Sequence, residues 1–169
     1  METKFLIVMG VSGCGKTTIG TRLGEHLGWN FYDADDFHPP ENVAKMASGT
    51  PLNDDDRYPW LLALHDLIAN SLEEGKLGIL ACSALKESYR NILLKDNHNV
   101  QIIYLKGSFD LILSRMQARG DHYMKPEMLE SQFDTLEEPV DAITISTALP
   151  MRDIVNKISD LVDFNCSDR

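Results

Sequence analysis

Gly10-Val11-Ser12-Gly13-Cys14-Gly15-Lys16-Thr17 is the stretch that decides the fold. Spaced glycines followed by lysine and a hydroxyl residue form the pattern that closes around the phosphates of a nucleoside triphosphate. The glycines permit backbone conformations barred to other residues and let amides approach the phosphates. A helix that opens at Lys16 adds its unpaired N-terminal N–H groups to the same cradle. In such a loop Lys16 is expected to reach the β and γ phosphates, and the Thr17 hydroxyl to ligate Mg²⁺. Val11, Ser12, Cys14 and Thr18 belong to the same nucleotide-binding set, with the Cys14 side chain a small filler. At ordinary glycine usage, a chance match somewhere in the chain has odds on the order of one in a hundred.

The flanks agree with this reading. Phe5 to Met9, just upstream, is a continuous apolar run, as expected of a strand buried on both faces of a parallel sheet. Downstream, a helix is predicted from Lys16 to about Leu27, where Gly28 stops it. Asn30 to Asp33 reads as a second strand. It enters an acidic, proline-containing loop, Asp35 to Pro40, and Pro40 can open a helix. Asp54 to Gly75 has a helical signature: aspartates at the start, Pro59 in the first turn, and Trp60, Leu64, Leu67, Ile68 and Leu72 on one stripe. Further strands are predicted at Gly78 to Cys82, Gln101 to Leu105 and Ala142 to Ser146. Apolar strands alternating with amphipathic helices indicate an α/β fold with a parallel sheet flanked by helices. Residues 1–169 read as one domain that turns polar only at Asn165 to Arg169. The charged interval from Arg115 to Glu138 contains no apolar strand, and about residues 119–138 form a candidate mobile lid.

Composition narrows the partners. A chain of 169 residues with 43% apolar content can bury one substantial core. Its formal net charge of -10 opposes binding to nucleic acid or an anionic membrane surface, which favours small-molecule ligands. Cys14, Cys82 and Cys166 are scattered and odd in number, arguing against a disulfide framework or a zinc site. The N-terminus lacks the pattern of a signal peptide, and no stretch approaches the roughly 20 apolar residues of a membrane span. A cytoplasmic protein is expected.

A phosphate loop serves many functions, so the acceptor must be read elsewhere. No Asp-x-x-Gly occurs, and Asn156-Lys157-Ile158-Ser159 lacks the aspartate of a guanine-reading motif. In open α/β sheets ligands gather at the C-terminal edge of the strands, which puts Asp33-Ala34-Asp35 beside the phosphate loop. Aspartates here also fit a simple turn cap. Asp54, Asp55 and Asp56 resemble a metal cluster, but at a helix start they complement the unpaired amides and the dipole, and capping is the favoured reading.

Several further blocks occur in a definite order. They are Asp33-Ala34-Asp35-Asp36-Phe37-His38-Pro39, Lys45-Met46-Ala47-Ser48-Gly49, Pro51 through Arg57 and Pro59-Trp60-Leu61. Cys82-Ser83-Ala84-Leu85-Lys86 with Tyr89-Arg90, Tyr104 through Gly107, Arg119 with His122, and Ser131-Gln132-Phe133 through Pro139 continue the series. In order and spacing they resemble the gluconokinase family of P-loop small-molecule kinases, which is similar to the shikimate and nucleoside-monophosphate kinases. The resemblance covers roughly residues 5 to 140. It implies a three-layer P-loop kinase fold and ATP- and Mg²⁺-dependent phosphorylation of D-gluconate at its 6-hydroxyl, in a homodimer.

The resemblance also assigns roles. Asp33 supports Mg²⁺ together with Thr17, and Asp35 orients the acceptor hydroxyl. Lys16, Asp35 and Arg119 form the catalytic set. Arg115 packs against adenine, and Arg119, one helical turn on, meets the phosphates. His38, Lys45, Arg57, Lys86 and Arg90 fall in the blocks around the acceptor, where an arginine can hold the gluconate carboxylate through two parallel hydrogen bonds. Each of the lysines and arginines also fits a solvated surface charge, His38 beside two prolines fits a turn residue, and Arg115 and Arg119 also fit surface ion pairs with Asp110 or another carboxylate. Gly120 through Pro126 departs from the family pattern.

Overall fold

β1 (Phe5–Met9) is fully buried at every residue, with β3 (Gly78–Ala81) paired parallel on one side and β4 (Val100–Lys106) on the other. β2 (Asn30–Asp33) and β5 (Ile143–Ser146) complete a five-stranded parallel sheet of order β2-β3-β1-β4-β5. The continuous apolar run of β1 reflects this central place, since both of its faces meet helices. The structure, a computed structural model, describes residues 2–118 and 126–167.

Parallel neighbours require crossovers, and helices supply them. α1 (Lys16–Leu27) follows β1; α2 (Pro40–Ala47) and α3 (Asp54–Glu73) lie between β2 and β3; α4 (Glu87–Leu94) links β3 to β4. After β4 come α5 (Phe109–Ala118) and α6 (Pro126–Thr135), and α7 (Met151–Ser167) follows β5. Alternation along β1 separates two cores. Leu6 and Val8 pack with Ile19 and Leu23 of α1 and with Ile154 and Ile158 of α7. Phe5, Ile7 and Met9 point the other way, onto Leu61, Leu64 and Ile68 of α3 and Leu93 of α4. The result is the helix–sheet–helix sandwich expected from the alternating pattern.

Two details depart from the sequence reading. The predicted loop after β2 begins with a 3-10 turn, Ala34–Phe37, because the Asp33 carboxylate accepts from the Asp35 N–H at 3.0 Å and caps it. The start of α3 is capped by Asn53, one residue ahead of the aspartates: Asn53 Oδ1 accepts from the Asp56 N–H at 2.8 Å, and Asp56 Oδ2 accepts from the Asn53 N–H at 2.9 Å. This reciprocal capping box holds the helix start while the chain runs through Pro59, which lies inside the helix rather than in its first turn. Gly28 ends α1 in the left-handed conformation, at φ 71°. Among the described residues no helix is long and apolar enough to cross a membrane.

Replacing Asn53 by Ala should lower stability by about 1 kcal/mol, the usual worth of such a cap, as read from the shift of the urea unfolding midpoint.

Candidate active site

The donor half is built where β1 ends and α1 begins. Gly13 has φ 81° and a Cβ there would lie 2.7 Å from Met116 of α5, so only glycine fits both the turn and the space. Gly15, at φ 98°, is the N-cap of α1, and no side chain caps its first amides. Its first turn also carries no acidic residue, leaving positive potential at the helix start available to an anion. Val11 and Cys14 are buried side chains, so the loop offers its backbone there. The Lys16 ammonium curls over the loop and donates to the carbonyls of Gly10 at 3.0 Å and Val11 at 3.1 Å.

From this loop the structure reaches across to β2. Thr17 Oγ1 donates to Asp33 Oδ2 at 3.0 Å, while Asp33 Oδ1 holds the turn that presents Asp35. Thr17 and Asp33 therefore join as hard oxygen donors on an exposed edge. A hydroxyl, one carboxylate and phosphate oxygens make a suitable set for Mg²⁺, which keeps several waters and needs no all-protein cage. Partial loss of water around the Asp35 carboxyl raises its pKa above the ordinary value, and the Asp33 charge adds to this; His38 and Lys16 pull it down. The residue itself keeps an exposed surface, so water screens part of the effect.

Where the resemblance assigns the acceptor, His38 stacks on Trp60 with ring centroids 4.3 Å apart, and the indole N–H donates to the Ala34 carbonyl at 2.7 Å. The buried Asn42 amide donates to the Asp56 carbonyl at 2.8 Å, which fixes its orientation and offers an N–H to His38 Nδ1 at 3.3 Å. Burial, then the Arg57 charge, lowers the His38 pKa against the pull of Asp35. The imidazole is thus neutral at pH 7 with its proton on Nε2, a donor suited to a sugar hydroxyl.

Arg57 and Lys86 share an open groove of about 470 Å³ with Leu52, Asn53, Asp54 and Asp55. Asp54 is their counter-ion. Lys86 donates to its carboxylate at 3.2 Å, Arg57 approaches within 4.0 Å, and the Tyr89 hydroxyl donates to the same oxygen. Arg57 in turn donates to the Tyr89 hydroxyl at 3.0 Å. These bonds, the Tyr89 one first, hold the Asp54 carboxyl below its usual range. Arg57 also lines a smaller cavity of about 110 Å³ with Trp60, Ser83, Leu85, Tyr89, Ser131, Gln132 and Thr135.

Two residues assigned to the acceptor by resemblance are engaged otherwise. Lys45 forms a 2.6 Å ion pair with Asp56, within the capping box of α3. Arg90 is only 5% exposed, and its guanidinium donates to three main-chain carbonyls: Ala84 at 2.8 Å, Leu85 at 3.1 Å and Glu137 at 2.8 Å. Three hydrogen bonds of the guanidinium are thereby directed at the main chain, which they clamp at Ala84, Leu85 and Glu137.

Arg115 lies half-buried on α5 and makes no ion pair with Asp110 or any other described residue. Arg119, with Gly120 through Lys125, lies outside the described residues; of the expected lid, 126–135 is α6. Sequence reasoning missed Tyr89 and Gln132 as site residues, although both stand in the quoted blocks.

Loop, β2 carboxylates and cation-lined groove together define a small-molecule phosphotransferase of the P-loop class. The shikimate kinase family model matches residues 12–162. A probable gluconokinase of Mus musculus is 47% identical over 151 residues, covering 79% of this chain and 82% of that protein. The thermoresistant gluconokinase of Escherichia coli K12 is 42% identical over 160 residues, covering 92% and 91%. The crystal structure of a gluconokinase from Sinorhizobium meliloti 1021 superimposes with a TM-score of 0.86 at 34% identity over the whole of both chains. The chain belongs to the gluconokinase family, and it is an ATP-dependent kinase.

Replacing Arg90 by Ala should cost about 2–4 kcal/mol of stability by leaving buried carbonyls without donors, measured by urea unfolding, with little change in acceptor KM for the fraction that remains folded. Asp35 makes an opposite contribution. A carboxyl whose pKa is raised on folding binds more protons in the native state, so its effect on stability falls as pH rises through the interval above the ordinary value near 3.8. Asp35→Asn should therefore melt higher than the wild type at pH 7, with the gap closing below pH 3.8; thermal melts at the two pH values check this.

Proposed function

We propose that the chain transfers the γ-phosphoryl group of ATP to the 6-hydroxyl of D-gluconate, giving 6-phospho-D-gluconate and ADP. The observation that carries this reading is the Thr17–Asp33 bond, which joins the phosphate loop to the aspartate pair on the side where Arg57 and Lys86 line their groove. The names of the relatives support gluconate as the acceptor.

Phosphoryl transfer asks the protein chiefly to position the reactants and neutralise developing charge. The loop from Gly10 to Thr18 cradles the phosphates through its amides, except that of Ser12, which Gln132 holds, and through the Lys16 ammonium, which exchanges the carbonyls of Gly10 and Val11 for phosphate oxygens. Thr17 and Asp33 would hold Mg²⁺, whose charge would add to this neutralisation when bound. Asp35 orients the acceptor hydroxyl and takes its proton, a role that suits a carboxylate with a raised pKa. The His38 Nε2–H holds a hydroxyl of the sugar acid. Arg57 and Lys86 bind its carboxylate, which takes over the contacts of Asp54. Lys45 and Arg90 support this wall from behind, and Arg115 and Arg119 serve the nucleotide. The enzyme acts as a homodimer in the cytoplasm.

Incubating the protein with ATP, Mg²⁺ and gluconate should yield a phosphogluconate whose ³¹P–¹H coupling places the phosphate on C6; transfer to shikimate but not to gluconate would sink the reading. Lys16→Ala should lower kcat at least about 100-fold. Asp35→Asn should lower it by about 10²–10⁴ with ATP affinity nearly unchanged.

A further inference from the structure

Ser12, in the middle of the phosphate loop, is held from a distant part of the chain. Its N–H donates to Gln132 Oε1 at 2.7 Å, and its Oγ accepts from Gln132 Nε2 at 2.8 Å. The oxygen and nitrogen of one primary amide thus accept from the Ser12 N–H and donate to its hydroxyl at once, and two bonds fix orientation as well as distance.

The loop needs such a hold. Gly13 and Gly15 on either side of Cys14 adopt positive φ, which leaves the backbone permissive. Its internal ties, the Cys14 N–H to the Val11 carbonyl at 3.3 Å and the Lys16 ammonium to Gly10 and Val11, do not include Ser12. Gln132 itself is fixed. It lies on α6, which buries Leu129 completely and packs Phe133 edge-on against Phe109 of α5 at 5.9 Å. The Leu136 N–H donates to the Gln132 carbonyl at 2.9 Å, and the next residue's N–H donates to the Leu85 carbonyl at 2.8 Å. Ser131, Gln132 and Thr135 of this helix also form one wall of the cavity shared with Arg57, Trp60 and Tyr89.

We propose that Gln132 is a positioning residue that ties the phosphate loop to the acceptor wall, so that donor and acceptor are held in register for transfer. The inference rests on the phosphoryl-transfer reading above. It assigns to Gln132 no contact with the reacting atoms. The amide acts through Ser12, and its loss displaces the loop relative to Asp35 and the acceptor cavity, a misalignment that falls on kcat more than on ATP binding.

A double-mutant cycle tests this. Gln132→Leu keeps the volume and removes both bonds; Ser12→Ala removes only the hydroxyl bond and leaves α6 untouched, so it remains informative if the first variant folds poorly. Gln132→Leu should lower kcat for gluconate phosphorylation about 10- to 100-fold, with the Kd for ATP changed less than about threefold. Ser12→Ala should lower kcat less, and should have no further effect in the Gln132→Leu background. Wild-type kcat in Gln132→Leu, or effects that simply add, would overturn the proposal. If the wild-type protein makes no phosphogluconate, the acceptor assignment falls by itself. The same cycle is then run on ATP hydrolysis without acceptor, where non-additive losses support the tie and additive ones overturn it.

Discussion

Helix α1 starts with no side chain to satisfy its first amides, directly behind a strand that is buried on every side. An exposed helix start could turn to water, but this one is fixed at the centre of the sheet by the pairing of β1 with β3 and β4. Its orientation is therefore a property of the whole core. Thr17, on the first turn, carries that rigidity to Asp33 on β2, two strands away, and Asp33 in turn caps the 3-10 turn bearing Asp35. A single chain of hydrogen bonds runs from the phosphate loop to the group assigned to the acceptor hydroxyl.

The opposite wall depends on a buried guanidinium. Ala84 occupies the left-handed region at φ 44°, a conformation that costs a non-glycine residue roughly 1–2 kcal/mol. Arg90 gathers the carbonyls of Ala84 and Leu85 and joins them to that of Glu137. Glu137 returns the contact, its side chain accepting from the Glu87 N–H at 2.8 Å where α4 starts without a cap of its own, and Glu138 pairs with Lys106 at 3.1 Å. The stretch after α6 is thus a strap across the C-terminal ends of β3 and β4. Strain held by surrounding bonds near a functional pocket is the usual pattern for such loops.

The donor half was legible because it is local. Strand, glycine loop and helix are contiguous, and each residue type from Gly10 to Thr17 has a requirement that can be named without knowing the rest of the fold. The aspartate pair was legible for a related reason, since strand ends in a parallel sheet share one edge. The cations were not separable in this way. Lys45, Arg57, Lys86 and Arg90 look alike in a sequence, and their roles diverge through partners that no local pattern names, such as Asp56, 11 residues on, for Lys45 and the Glu137 carbonyl, 47 residues on, for Arg90. Gln132 reaches Ser12 across 120 residues, a separation that no periodicity reveals. The capping residue of α3 was misplaced by one position because three aspartates obscured the asparagine before them.

The stack of His38 on Trp60 has a consequence for observing the molecule at work. Indole emission depends on what touches the ring, and one of the chain's 2 tryptophans lies against the imidazole and lines the cavity beside Arg57 and Tyr89. The other, Trp29, packs half-buried against the core around α1, on the far face of the sheet. Intrinsic fluorescence thus divides between a reporter inside the pocket and a reference outside it. A ligand entering that cavity would change the light the protein itself emits, without a label and without turnover.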